Sequence, residues 1–214
     1  MYEFTTWDIA RNLLLAMRWT VGLSLIAFIG GGVVAATLLV LRLTGKSFVA
    51  RIVQLYVQLF QGTPLLLQLF LVYFGLSMFG LETTAMVAAS VCLVLYTSAY
   101  LTEIWRGAVE SVARGQWEAS ASLALSFSEQ MRYVIVPQAV RLGIAPTVGF
   151  MVQVVKATAL TSVIGFVEMT RAGQIITNAT FQPFAVYGSV ALMYFALCFP
   201  LSWYSRHLEN RLRR

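Results

Sequence analysis

Long apolar stretches alternate along this chain with short polar and basic connections. The first uncharged run, Trp19 to Leu41, would reach ~34 Å as a helix at ~1.5 Å per residue, enough to cross a hydrocarbon core of ~30 Å. Within it Ala27, Gly31 and Ala35 recur every four residues, giving a face of small side chains on which a second helix can close. A second uncharged run, Ile52 to Leu81, is broken at Gly62-Thr63-Pro64, where proline removes an amide donor and the helix must bend. The third runs from Thr84 to Ile104, with Glu103 near its end. The fourth is drawn through Tyr133 to Val155 although Pro137, Arg141 and Pro146 interrupt it. An arginine at mid-membrane costs ~2.5–3.5 kcal/mol, so the start of this segment is expected outside the lipid. The fifth is Phe184 to Tyr204.

The pattern predicts an all-α integral membrane protein of about five transmembrane helices, at about 19–41, 52–79, 84–104, 133–155 and 184–204, in a single domain 1–214. The polar segment 105–132 lies outside the membrane. From Lys156 to Pro183 short apolar runs alternate with Glu168, Arg171 and Asn178, which predicts short or re-entrant helices sheltered by protein. Composition agrees: 59% of residues are hydrophobic and 11% charged, against roughly a quarter charged in soluble domains.

The net charge of +6 does not point to nucleic acid, because the bases sit between apolar runs instead of forming one polar footprint. Three Lys and Arg lie at 42–51, three at 105–132 and four in the tail (Arg206, Arg211, Arg213, Arg214), against none at 76–83 and two at 156–183. The richer group faces the cytoplasm. Five spans then put the N-terminus outside, despite Arg11 and Arg18, and the C-terminus in the cytoplasm. Glu3 and Asp8 argue against the basic start of a cleaved signal peptide. An odd number of spans without an internal repeat argues against a self-contained inverted-repeat carrier, so a partner is expected to complete any path.

Candidate chemistry narrows the reading by what is missing. Gly45-Lys46-Ser47 resembles the end of a phosphate-binding loop, but Val40 stands where that loop needs glycine, so any ATP hydrolysis belongs to another polypeptide. His207 is the only histidine, and no span holds an acid pair, so no catalytic residue and no metal site is assigned. Cys92 and Cys198 sit in apolar runs as packing residues. Gln54, Gln58, Gln61 and Gln68, spaced by four, three and seven, form one stripe if the bend preserves register, facing either other helices or a water-filled path. Lys156, Thr158, Thr161, Ser162 and Glu168 make a second polar group. In the connection, Trp117, Ala121, Ala124 and Ser128 share a helical face, suited either to a groove on a cytoplasmic partner or to lipid headgroups.

The same connection, Gly115-Gln116-Trp117-Glu118-Ala119-Ser120-Ala121-Ser122-Leu123-Ala124 continuing to Val134-Ile135-Val136-Pro137, resembles the EAA loop of ABC-importer permeases. That pattern is Glu-Ala-Ala, three residues, Gly, nine residues, then Ile-x-Leu-Pro. Glu118, Ala119 and Pro137 keep it, while Ser120, Ala124, Val134 and Val136 depart conservatively. Gly62-Thr63-Pro64-Leu65-Leu66-Leu67-Gln68, Glu103-Ile104-Trp105-Arg106-Gly107, Thr161-Ser162-Val163-Ile164-Gly165 and Ala179-Thr180-Phe181-Gln182-Pro183-Phe184 extend the resemblance over nearly the whole chain to the polar-amino-acid branch.

The resemblance implies a type I ABC importer permease-like fold in a bacterial inner (plasma) membrane, with a second permease subunit, identical or paralogous, completing the pore. It implies an ABC ATPase dimer carrying ATP and Mg, an extracytoplasmic amino-acid-binding protein and a polar amino-acid substrate, with no cofactor on this chain itself. The loop helix, about Gln116 to Leu125, would sit in a cleft of the ATPase with Glu118 and Ala119 as contacts and Gly107 and Gly115 allowing the turns. Ala157 and Ala159 depart from an acid and a serine common in relatives beside the position of Lys156, which weakens the case for a cationic substrate. A channel or ion-coupled carrier working without an ATPase is the alternative.

Overall fold

The computed structural model describes residues 5–212; Glu3, Arg213 and Arg214 lie outside the described residues. Among those described, the chain is helix and turn throughout. The first helix, α1 (Thr6–Thr44), begins well before the apolar run, because Thr5 and Asp8 form a capping box. The Asp8 amide donates to Thr5 Oγ1 at 3.3 Å and the Thr5 amide donates to Asp8 Oδ2 at 3.0 Å, so orphan amide groups at the helix start are satisfied by the chain itself.

The break at Pro64 separates α2 (Ser47–Gly62) from α3 (Leu65–Met78), and the two are bent by 101°. Helix α3 contains one wide π-type turn at Leu71–Gly75. Helix α4 (Ala85–Glu110), capped by Thr84, runs a turn and a half beyond the expected end of span three. Its extension is stabilised by Arg106, which pairs with Glu103 and Glu110 at helical spacing. A short helix, α5 (Arg114–Ser122), precedes α6 (Phe127–Ile164). Ser126 and Glu129 cap α6, which is why it starts before the expected span. A π-type turn at Gln130–Ile135 stands directly before Pro137, whose ring nitrogen has no hydrogen to donate. The last turns, Thr158–Ile164, tighten to a 3-10 helix that ends at Gly165 with φ 87°. Helix α7 (Met169–Thr180) and helix α8 (Pro183–Leu212) complete the chain.

Among the described residues four helices are long and apolar enough to cross a membrane, or five if the bent pair α2–α3 is counted as one span. Their packing starts from α1 and α4. Ala27, Gly31 and Ala35 are all buried, and a Cβ at Gly31 would lie 2.7 Å from the Cβ of Thr97. The small-residue face predicted from the sequence is therefore the contact face. One core joins α1, α3, α4 and α6 through residues such as Ala27, Leu69, Leu93 and Val154. At one end Leu13 of α1 packs with Met169 and Val186 of α7 and α8. At the other, Leu43 of α1 packs with Val109, Val112 and Ile135.

Candidate functional site

The segment between α4 and α6 is built outward from that second end. Glu103 accepts from Arg106 Nε at 2.8 Å and pairs with Arg42 of α1, so two spans are tied by charge where both leave the apolar region. Trp105 Nε1 donates to Thr147 Oγ1 at 3.0 Å and links α4 to α6. Val112 then turns inward and is buried.

Helix α5 is anchored by its inner face. Trp117 packs against the cluster of Ala108, Val109, Val112 and Ile135. Ser120 is 2% exposed and its hydroxyl donates to the Trp117 carbonyl at 2.9 Å. Gln138, about three turns into α6, donates to Gln116 Oε1 at 3.1 Å. The outer face carries Gly115, Glu118, Ala119 and Ala121, all exposed. The Glu118 carboxylate has no partner among the described residues. Leu123, at the tip, is 75% exposed, an outward apolar group the sequence reading passed over. Its signal is position alone: an aliphatic side chain at the end of an otherwise polar helix.

Two expectations for this helix are corrected. Gly107 and Gly115 make no turn; they lie inside α4 and α5, with open space where a Cβ would stand. The turn falls at Ala124, with φ 57°, the position of glycine in the EAA pattern. That left-handed residue ends the helical register, so Trp117, Ala121, Ala124 and Ser128 do not share one face: Trp117 is half-buried and the other three are exposed.

The intramembrane candidates do not converge on one site. Because of the bend, the four glutamines form no single stripe. Gln54 and Gln58 are exposed on α2, while Gln61 is half-buried and donates to the Ala99 carbonyl at 3.3 Å. Gln68 is buried on α3, and its Nε2 donates back to the carbonyls of Phe60 and Thr63 and to Thr63 Oγ1 at 2.8–3.1 Å. It satisfies acceptors left open by the break, while its own Oε1 has no partner. In the second group Lys156 is exposed. The hydroxyls of Thr158, Thr161 and Ser162 donate to carbonyls three residues back. Glu168 is fully buried and caps α7, accepting from the amides of Thr170 and Arg171 at 2.8 and 2.9 Å and from the Tyr194 hydroxyl at 2.8 Å. Tyr194 was not foreseen, since no spacing links it to Glu168.

The chain matches the family of binding-protein-dependent transport system inner membrane components over residues 28–214. The probable glutamine ABC transporter permease protein GlnM of Bacillus subtilis (strain 168) is 34% identical, with 89% of this chain and 88% of that protein covered. The glutamine transport system permease protein GlnP of Escherichia coli (strain K12) is 32% identical, with 97% and 95% covered. Among solved structures, an amino acid ABC transporter crystallised with histidines superposes with a TM-score of 0.90 at 31% identity, covering 94% of both chains. The inward-facing MetNI methionine ABC transporter shares the fold, with a TM-score of 0.79 at 17% identity over 94% of this chain and 97% of that one.

Proposed function

The chain belongs to the family of binding-protein-dependent transport system inner membrane components, and from that membership we propose that it is one permease subunit of an ATP-binding-cassette importer for a polar amino acid. An extracytoplasmic binding protein delivers the substrate, a second permease subunit completes the pore, and ATP with its magnesium is hydrolysed on separate subunits. The N-terminus lies outside and α5 lies in the cytoplasm, the side favoured by the distribution of basic residues.

The observation that carries the coupling role is the two-sided build of α5. Its inner face is fixed to α4 and α6 by Trp117, Ser120 and the Gln116–Gln138 hydrogen bond. Its outer face leaves Glu118 and Ala119 free. A cleft that closes on this helix therefore moves the ends of two membrane helices together, and ATP binding biases the arrangement that fits the closed cleft. For the substrate path, Gln54, Gln58 and Lys156 are the exposed members of the two polar groups, and Lys156 would offset a substrate carboxylate. Gln68, Thr158, Thr161 and Glu168 shape the path from behind.

The test is reconstitution of the complex in liposomes with its binding protein, screening amino acids for stimulated ATP hydrolysis and uptake. A polar amino acid should stimulate both, and Glu118→Lys should abolish the stimulation while the complex still assembles. Intact stimulation in that variant removes the coupling role. In the same assay, an unchanged transport affinity for Lys156→Ala removes the carboxylate role.

A further inference from the structure

Far from α5, at the end where α1 meets α7 and α8, Arg11, Leu15, Arg18, Gly22 and Ile26 follow one another at spacings of four, three, four and four. They therefore line one face of α1. Arg18 is exposed, with its guanidinium 5.4 Å from the centre of the Trp19 ring, and among the described residues no carboxylate pairs with it. Two grooves meet at this side chain. The upper, of about 370 Å³, lies between α1 and α7 and includes Asn12, Leu15 and Ile176. The lower, of about 350 Å³, descends past Gly22, Leu23 and Ile26 to Met86 of α4 and Phe166. Neither is lined by an acidic residue. A Cβ at Gly22 would meet nothing within 4 Å, so the floor of the lower groove is open, and its wall is braced by Trp19 set edge-on to Phe166 at 6.2 Å.

Arg18 stands immediately before the uncharged run, which places its guanidinium at headgroup depth, and Trp19 is a residue that favours that interface. A guanidinium without a protein carboxylate takes phosphate as a bidentate partner. From Arg18 to Ile26 the lower groove offers ~12 Å of apolar wall along the helix axis. Arg11, two turns above, adds a second positive charge on the headgroup side.

We propose that Arg18 and its flanking grooves bind an anionic glycerophospholipid of the leaflet opposite α5, with the headgroup phosphate on the guanidinium and an acyl chain in the groove floored by Gly22. The site depends on the membrane placement of α1 and not on what is transported. The experiment is native mass spectrometry of the protein in detergent, with its partner subunits, titrated with dioleoylphosphatidylglycerol and separately with dioleoylphosphatidylcholine. The wild type should bind the phosphatidylglycerol more tightly. Arg18→Gln, which loses the charge and the bidentate fork but keeps one amide donor, should weaken that binding about tenfold. Gly22→Leu, which fills the groove, should weaken binding of both lipids, and Arg206→Gln in the opposite leaflet should change neither. Equal affinity of the wild type for the two lipids overturns the proposal whatever the variants do. So does wild-type binding by Arg18→Gln, or an equal loss in Arg206→Gln.

Discussion

Ala124 shows how much one backbone angle decides. At φ 57° its methyl group crowds the following carbonyl, a strain of ~1–2 kcal/mol. The conformation persists because it closes α5, with the Leu125 amide donating to the Ser120 carbonyl at 3.3 Å and the Ala124 amide to Ala121 at 2.9 Å. Glycine would remove the strain and lose part of the gain through a more flexible unfolded chain. Ala124→Gly is therefore expected to raise the melting temperature in detergent by about 2 °C and to leave uptake unchanged; a lower melting temperature would show that the turn is not strained. The EAA pattern marked this position as one that departs from glycine, but not that the departure falls on a left-handed residue. Glu118, by contrast, was legible as an outward group from its motif alone.

At the scale of elements, the division into five apolar segments followed from run length, and the face of Ala27, Gly31 and Ala35 followed from spacing, because both depend on one periodicity. Helix ends were less legible: α1, α4 and α6 all run past their apolar stretches, each extended by side chains that cap or pair within a turn. The Thr5–Asp8 and Ser126–Glu129 spacings are readable signals of this kind. The glutamine stripe failed because a 101° bend is a tertiary outcome: proline announces a break, not its angle. Gln68 holds that bend by donating to three acceptors across it. Gln68→Leu, close in volume, leaves buried carbonyls unpaired and should destabilise the protein by ~1–3 kcal/mol. Thermal unfolding of the purified complex measures this, and an unaltered melting curve would mean that water or lipid headgroups already satisfy those carbonyls.

For the whole molecule, the broken span carries a consequence for biogenesis. Helix α3 is ~21 Å long at ~1.5 Å per residue, too short to cross the hydrocarbon core by itself, and the Gln54 and Gln58 amides on the exposed surface of α2 meet lipid when no partner encloses the path. Such a segment is held in its bent geometry by neighbours as well as by its own hydrophobicity. A newly made chain without its companion subunits is thus an incompletely buried client for membrane quality control. In a pulse-chase experiment it should decay several-fold faster when expressed alone than with its partners, and the double change Gln54→Leu and Gln58→Leu should lengthen its half-life when alone. Equal half-lives with and without partners would mean that the chain is stable as an orphan. If the difference is found, the amides exposed on α2 would set the stoichiometry of the complex through the lifetime of its unassembled parts.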